Sequence, residues 1–310
     1  MDEMRSSPKV RELLDWVQHS LRELAQETDQ AKQEEAVRSY LSLMGKLHTY
    51  SLWNQLLIGL QLPNATLVAG MAKWNRLGRH VRQGEHGVRI VAPIVVKLSP
   101  GEEAPQRKPS LLEQLFQEKP EAPADHKVVG FRPAWVFDIS QTEGAPLQTT
   151  QPYSPTESNE ALKKDLIAVA NRLGYAVHDR VPANVMSAWG YTAYGKKTID
   201  LRTGSGVPVI AHELAHIVLG HGDSPVAGDE RLREVAAEAA AYAVCARYGV
   251  HAGSAARYIA LWQGSSEDVL AQLAVVSRAA AQIIEAVENY RRGGVNGSRD
   301  HAGAAHPARP

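Results

Sequence analysis

The chain has 310 residues, of which 44% are hydrophobic and 22% are charged, and its 34 basic residues balance its 34 acidic ones. This length allows two domains, each with its own core, and the neutral balance excludes a global preference for nucleic acid or membrane. The polar N-terminal stretch MDEMRSSPKV lacks the apolar segment of a signal peptide, and a single cysteine, Cys245, cannot form an internal disulfide. We therefore expect a cytoplasmic protein.

The first part of the chain, residues 1–147, predicts an α+β domain. Residues 8–47 carry apolar side chains at helical spacing and predict two helices: Val10, Leu13, Leu14, Val17 and Leu21. Turn glycines precede a β-rich run from Val88 to Leu98, and the later stretch VVGFRPAWVFDIS predicts a second strand. Between the strands, residues 99–127 are rich in Pro, Glu and Lys and predict a mobile insertion inside one sheet.

A basic and aromatic segment lies inside this first domain. Between residues 46 and 97, seven basic residues stand against the single acid Glu85, a local charge of +6. The seven are Lys46, Lys73, Arg76, Arg79, Arg82, Arg89 and Lys97. Cations for phosphates together with rings for stacked bases are what single-stranded nucleic acid requires. A solvated basic face is the alternative interpretation.

These cations are interleaved with three aromatic residues, Tyr50, Trp53 and Trp74. Trp53 falls on an apolar helical stripe that is typical of a core, whereas Trp74 lies beside Lys73 and Arg76 and is the better candidate for stacking on bases. The sequence therefore predicts these DNA contacts: Tyr50, Lys73, Trp74, Arg76, Arg79, Arg82 and Arg89.

The second part of the chain predicts a mostly helical domain with a small sheet over residues 160–290. Residues 148–159 are rich in proline and small polar side chains and predict a linker, with the boundary near residue 150. The stretch KKTIDLR predicts a strand, and helices are expected at ALKKDLIAVANRLG, at IAHELAHIV, from about Arg231 to Tyr248, and twice more before Tyr290. The last apolar stretch is interrupted by polar residues, so we expect no membrane span, and residues 291–310 predict a disordered tail.

The stretch IAHELAHIVLGHGD contains the pattern His, Glu, any, any, His at His212, Glu213 and His216. Residues four apart on a helix project from nearly the same face, where two imidazoles can hold one metal ion. A zinc ion lowers the pKa of a bound water to about 7, and Glu213 beside it can then accept the proton of that water. An apolar, strand-like segment, GVPVIA, precedes the motif, and Gly220 stands near the expected end of the helix. The pattern predicts a zinc centre with a general base.

A catalytic zinc needs a third protein ligand. The next helix carries Glu234 and Glu238 one turn apart on a face that is otherwise apolar, where a carboxylate needs a metal or a ligand histidine as partner. A solvated glutamate pair is the alternative, and His221 is a rival third ligand. For stabilising an oxyanion, the sequence offers Tyr191, Tyr194 and His221.

This motif followed by a glutamate-bearing helix resembles the zincin fold, and within it the gluzincin-like ImmA/IrrE peptidases, over about residues 160–290. The resemblance implies Glu234 as the zinc ligand and Glu238 as a second carboxylate that braces a ligand histidine, although two glutamates could exchange these roles. It also implies that the KKTIDLR strand is the edge strand along which a polypeptide substrate lies.

Residues 10–147 resemble the N-terminal single-stranded-DNA-binding domain of the ArdC antirestriction family. The resemblance rests on three motifs in order, YSLWNQLLI, KWNRLGRHVRQGEHGVRIVAPI and VFDISQTEG. ArdC proteins also carry a C-terminal metallopeptidase-like domain, so the resemblance implies a protein that binds single-stranded DNA and has a zinc peptidase site. Two rival hypotheses are a DNA-binding protector with a structural zinc, and a DNA-responsive protease that cleaves a repressor.

Overall fold

The computed structural model describes residues 8–27, 29–98, 126–147, 157–179, 189–222, 230–252 and 266–299. The chain divides into two compact units. Unit 1 comprises Met1–Gln151 and Ser254–Ser277, and unit 2 comprises Pro152–Gly253 and Arg278–Pro310. Helices and short strands occur in both, so the expected α+β class is confirmed.

The N-terminal helices of unit 1 form where the apolar periodicity predicts them. They are α1 (Pro8–Gln26), α2 (Gln30–Lys46), α3 (Leu52–Gln61) and the short α4 (Met71–Arg76). Four members of the predicted apolar stripe of α1 are buried: Val10, Leu13, Val17 and Leu21. Trp53 is buried on α3, as its position on an apolar stripe predicts.

Two small antiparallel sheets complete unit 1. Strands β1 (Val68–Ala69), β3 (Val88–Lys97) and β4 (His126–Asp138) pair in the order β1-β4-β3, and β2 (Arg79–Val81) pairs with β5 (Thr142–Gly144). Both strands expected around the insertion are present, and β4 already includes residues 126 and 127. The rest of the predicted insertion, residues 99–125, lies outside the described residues.

The VFDISQTEG stretch joins the sheets of unit 1. Asp138 is buried, and its carboxylate accepts hydrogen bonds from the backbone nitrogens of Thr66 at 2.7 Å, Leu67 at 3.1 Å and Ser140 at 2.9 Å. Burial acts to raise the pKa of Asp138, but these hydrogen bonds outweigh it and the pKa is lowered. The side-chain amide of Gln141 also connects this stretch to the rest of unit 1, because it donates a hydrogen bond to the Glu85 carboxylate. The motif is therefore explained by structural bonds within unit 1.

Unit 2 places a small mixed sheet beside helices. Its elements are α5 (Glu157–Arg172), β6 (Ala176–His178), β7 (Gly190–Ala193), β8 (Thr198–Leu201), α6 (Val207–Val218) and α7 (Glu230–Arg247). A last helix, α8 (Ser266–Arg299), is divided between the units after Ser277. Helix α7 packs against α6 and is rich in buried alanines, whose small side chains allow close packing.

Three expectations about unit 2 are wrong. Strand β8, predicted as the edge strand, is the central strand of the order β6-β8-β7, because both of its sides are paired. The apolar GVPVIA segment is the first turn of α6 rather than a strand, since Pro208 fits the start of a helix. The tail expected from residue 291 begins inside α8, where Arg291 forms an ion pair with Asp165 at 2.7 Å.

The predicted linker also overlaps a helix, because α5 begins at Glu157. By length and hydropathy, the Asp268–Gly293 part of α8 would be able to cross a membrane, and 44% of its most apolar window is buried. Buried helices of proteins without a membrane span meet the same criterion, so this is weak grounds for a span.

Candidate metal centre and nucleic-acid interface

Helix α6 presents the His-Glu-x-x-His motif between two well-defined ends. Gly206 precedes its first residue, and Pro208 occupies the first turn, where no intrahelical N–H is lost. At the other end Gly220 adopts a positive φ of 69°. The backbone nitrogens of Gly220 and His221 donate to the carbonyls of Ile217 and His216, the bond pattern of a Schellman motif, which turns the chain back over the helix.

Three side chains from two helices converge in unit 2. The Nε2 atoms of His212 and His216 lie 2.9 Å apart, and the Glu234 carboxylate of α7 lies 3.4 Å from the first and 3.3 Å from the second. The Glu234 side chain remains 55% exposed, whereas both imidazoles are largely covered. The cluster is therefore held by two helices and open to solvent on its glutamate side.

The donor set fits a divalent metal ion. A tetrahedral centre with bonds of about 2.0–2.1 Å requires ligand atoms about 3.3–3.4 Å apart. The distances between donor atoms of His212, His216 and Glu234 approach this value before any adjustment by an ion. Two imidazole nitrogens and one carboxylate are also the ligand types that zinc binds in hydrolytic sites.

The side chains of the cluster shift one another's pKa values and keep Glu234 charged. Hydrogen bonds from His212 and His216 hold the pKa of the Glu234 carboxyl far below its usual range, so Glu234 is ionised at neutral pH. Burial acts to lower the pKa of His212, but the Glu234 hydrogen bond and nearby carboxylates outweigh burial and raise it. The carboxylates thus provide the negative charge that a cation would neutralise.

Glu213 lies beside the cluster and is held by strand β7. Its carboxylate is buried and accepts a hydrogen bond from the Thr192 hydroxyl at 2.7 Å. A Cβ atom on Gly190 would come within 2.7 Å of the other Glu213 oxygen, so only glycine leaves room there. Sequence reasoning missed Gly190 and Thr192, because β7 and its packing on α6 depend on pairing between distant residues.

His221 lies on the far side of His216 from the converging nitrogens. Its Nδ1 is 2.7 Å from Nδ1 of His216, while Nε2 of His216 points at His212. Burial, followed by the charge of His216, lowers the pKa of His221 to about 4, so His221 is neutral and its Nδ1 can accept a hydrogen bond from Nδ1–H of His216. The geometry does not support His221 as the rival third ligand, because its contact is with the opposite ring nitrogen of a ligand histidine.

Of the two tyrosines that the sequence offers for stabilising an oxyanion, Tyr191 and Tyr194, the structure favours Tyr194. Successive side chains on a strand point to opposite faces, and Thr192 faces Glu213, so the neighbouring Tyr191 faces away from it. Burial, with added repulsion from Glu213, raises the pKa of Tyr194 to about 12. Tyr194 therefore keeps its hydroxyl proton at neutral pH and can donate a hydrogen bond to an oxygen atom. Tyr191 is excluded by its orientation.

Glu238 lies one helical turn after Glu234 and is half-buried. Its charge contributes to raising the pKa of His212, but it is not part of the ligand cluster among the described residues. This placement agrees with the expected bracing role, which stays a prediction.

In unit 1, the structure overturns Trp74 as a stacking residue. Trp74 is 0% exposed, its indole N–H donates to the carbonyl of Phe137 at 2.9 Å, and it packs in a cluster with Phe137 and Ala69. A base has no access to either face of this ring. Tyr50 is also structural, because its hydroxyl donates to the Val68 carbonyl at 2.9 Å.

The predicted basic contacts fall into two groups. Arg79 donates to Thr142 and to the Ala145 carbonyl, and so fastens β2 to β5, while Arg82 forms an ion pair with Glu85. The remaining three are exposed and have no ion pair within the described part of the chain: Lys73, Arg76 and Arg89. Only this second group is free to meet phosphates. Trp135 on β4, an exposed aromatic residue of unit 1, is not among the contacts that the sequence predicts.

Comparisons with known proteins find a family match inside unit 1. Residues 11–137 match the family model described as the N-terminal domain of anti-restriction factor ArdC. A Bacillus anthracis protein named as uncharacterized protein pXO2-81 is 26% identical over 255 residues, which cover 74% of this chain and 43% of that relative. The chain thus spans less than half the length of this relative.

Two crystal structures of the antirestriction ArdC protein from the R388 plasmid are also similar. The metal-free structure has a TM-score of 0.42 and 18% identity, covering 76% of this chain and 85% of that one. The Mn(II)-bound structure has a TM-score of 0.42 and 16% identity, covering 79% and 84%. From the family match, the N-terminal part of the chain carries an ArdC-like domain.

Proposed function

We propose that this chain is a metal-dependent peptidase whose N-terminal domain binds single-stranded DNA in an antirestriction role. The observation that carries the peptidase half is the convergence of His212, His216 and Glu234, with the buried Glu213 beside them. The ArdC-like match over residues 11–137 supports the DNA-binding half.

His212, His216 and Glu234 hold the metal ion in this proposal, with zinc as the metal that the donor set favours. A bound zinc ion supplies an acidified water and polarises a carbonyl group. Glu213 accepts the proton of the attacking water and returns it to the leaving amine, as a general base and then a general acid. The hydrogen bond from Thr192 fixes the direction of this carboxylate, and the Tyr194 hydroxyl is the donor for the developing oxyanion.

The substrate in this proposal is an extended polypeptide that pairs with β7. This strand is the outer member of the described sheet on the side that carries Thr192, and its other edge is paired with β8. Main-chain hydrogen bonds to an outer strand bind a peptide with little regard to its sequence. The proposal thus transfers the substrate-binding role from β8, which is central, to β7.

A DNA-binding protector with a structural metal is the second candidate. Structural zinc sites are closed by four protein ligands and require no base. In the described residues the cluster offers three ligands, an exposed carboxylate and an adjacent buried glutamate, so these features favour hydrolysis.

The test is the isosteric change Glu213→Gln, which removes the proton acceptor and keeps the shape. With zinc added, we expect cleavage of unfolded casein and of the chain itself to fall by about 10² to 10⁴-fold, the contribution of a positioned acid or base. Metal content and binding to single-stranded DNA should remain unchanged. Cleavage that persists at the wild-type rate in Glu213→Gln removes Glu213 from the mechanism, and wild-type protein that cleaves neither substrate favours the structural-metal candidate.

The antirestriction role is tested in cells, by measuring how well incoming DNA survives restriction in the presence of wild type or Glu213→Gln. Protection that survives this substitution assigns antirestriction to DNA binding alone. Loss of protection together with cleavage ties the two activities to each other, as expected for a protease that removes a protein target.

A further inference from the structure

We infer that Trp135 is a base-stacking surface for single-stranded DNA in unit 1. The inference rests on the DNA binding proposed above and names the residue that would carry it. Trp135 is 56% exposed, although tryptophan is usually covered in a folded protein. Unlike Trp74, it lies at the surface of the ArdC-like region.

The ring lies on the same side of the sheet as helix α4. Residues two apart on a strand share a face, so Trp135 lies on the face that carries Phe137. Phe137 is covered by Trp74 of α4, whereas no described residue gives Trp135 the same burial. Helix α4 therefore covers Phe137 but not Trp135, and the indole ring of Trp135 faces solvent.

Gly87 sets the position of this ring. A Cβ atom on Gly87 would come within 2.9 Å of Cδ1 and 3.1 Å of Cβ of Trp135, so the indole lies against the backbone of Gly87. Gly87 is not among the glycines with positive φ, so close approach rather than backbone freedom explains glycine there. A ring supported on one side and open on the other is prepared for stacking before the ligand arrives.

The charges around Trp135 favour a polyanion. Arg89 is directly opposite Trp135 in the β3–β4 register, where side chains are about 5 Å apart at Cβ. Arg89 is exposed and has no ion pair in the described residues, and the same is true of Lys73 and Arg76 on α4. An exposed aromatic ring opposite an unpaired cation matches a single strand, whose bases are free to stack while its phosphates meet the cation. Duplex DNA keeps its bases stacked on one another and offers none to the ring.

The experiment compares oligonucleotides with and without bases. Binding of a thymidine oligomer and of an abasic oligomer of equal length is measured by fluorescence anisotropy for the wild-type chain, Trp135→Ala, Trp135→Phe and Trp189→Ala. Trp189 is a matched control, because it is also 56% exposed but lies in unit 2. Trp135→Ala should weaken thymidine-oligomer binding by about 5- to 150-fold, or about 1–3 kcal/mol for one stacked base, and should leave abasic binding unchanged.

Trp135→Phe should retain most of the affinity, and Trp189→Ala all of it. If the wild type binds the thymidine oligomer and Trp135→Ala binds it equally well, the stacking inference is overturned while the proposed DNA binding stands. Wild-type protein that binds the thymidine and abasic oligomers equally also overturns the inference, without the use of any variant. If the wild type binds neither oligomer at low salt, the proposed DNA binding fails and the inference fails with it.

Discussion

The two candidate sites differ in how firmly the protein already holds their side chains. In unit 2, His212 and His216 contact each other and Glu234, and Glu213 is fixed by Thr192. In unit 1, Lys73, Arg76 and Arg89 are exposed and have no ion pair within the described part of the chain. A hydrolytic centre requires reacting groups placed to within about 0.5 Å, whereas a surface for a flexible strand requires rings and charges left open. Firm internal contacts therefore suit the proposed hydrolytic site, and open side chains suit the proposed binding surface.

The largest expected effect is a change in the free energy of unfolding when one of two tryptophans is replaced. Trp74 is buried and hydrogen-bonded, so Trp74→Ala should lower the free energy of unfolding by about 3–5 kcal/mol. The control Trp135→Ala should change it by less than about 0.5 kcal/mol, because the ring is exposed. Chemical denaturation of the full chain provides both values. A stable Trp74→Ala variant that loses DNA binding would return Trp74 to the interface.

A smaller effect separates the two glutamates of α7. If Glu238 braces a ligand histidine, Glu238→Gln should weaken metal affinity by about 10 to 100-fold. Glu230→Gln, at the exposed start of the same helix, is the control and should not alter affinity. Competition with a zinc-binding dye measures both. Complete loss of metal from Glu238→Gln, with retention in Glu234→Gln, would show that the two roles are exchanged.

The smallest effect concerns the free cations of unit 1. Replacing Lys73 and Arg76 together by glutamine should reduce the slope of log affinity against log salt by about 1.4, at about 0.7 for each phosphate contact with a single strand. Arg82→Gln is the control, because Arg82 is already paired with Glu85, and its slope should change less. Equal slopes for the double variant and the wild type would show that these cations face only solvent.

The elements that sequence could predict are those set by local periodicity. The α1 stripe and the histidine pair of α6 depend on residues three or four positions apart, and Glu234 followed from resemblance to a glutamate-bearing helix. The sequence could not show which of Trp74 and Trp135 is exposed, because the burial of Trp74 depends on Phe137, which is distant in sequence. Strand order is equally nonlocal, so β8 was expected at the edge and β7 with Thr192 was missed.

Pro208 is an exception, since its signal was present in the sequence. Proline in the first turn is typical of a helix start, yet the apolar residues around it favoured a strand. Burial of both faces removes the alternation that distinguishes a strand from a helix, and the length of the apolar segment was too short to decide.

The most direct test of the central claim is bound metal per chain, measured by mass spectrometry after zinc loading and dialysis, for two isosteric variants of neighbouring carboxylates. Glu234→Gln removes a ligand and should reduce the content from about one zinc ion per chain to nearly none. Glu213→Gln removes only the proposed base and should retain about one. The account is contradicted if Glu234→Gln keeps its zinc, or if Glu213→Gln loses it.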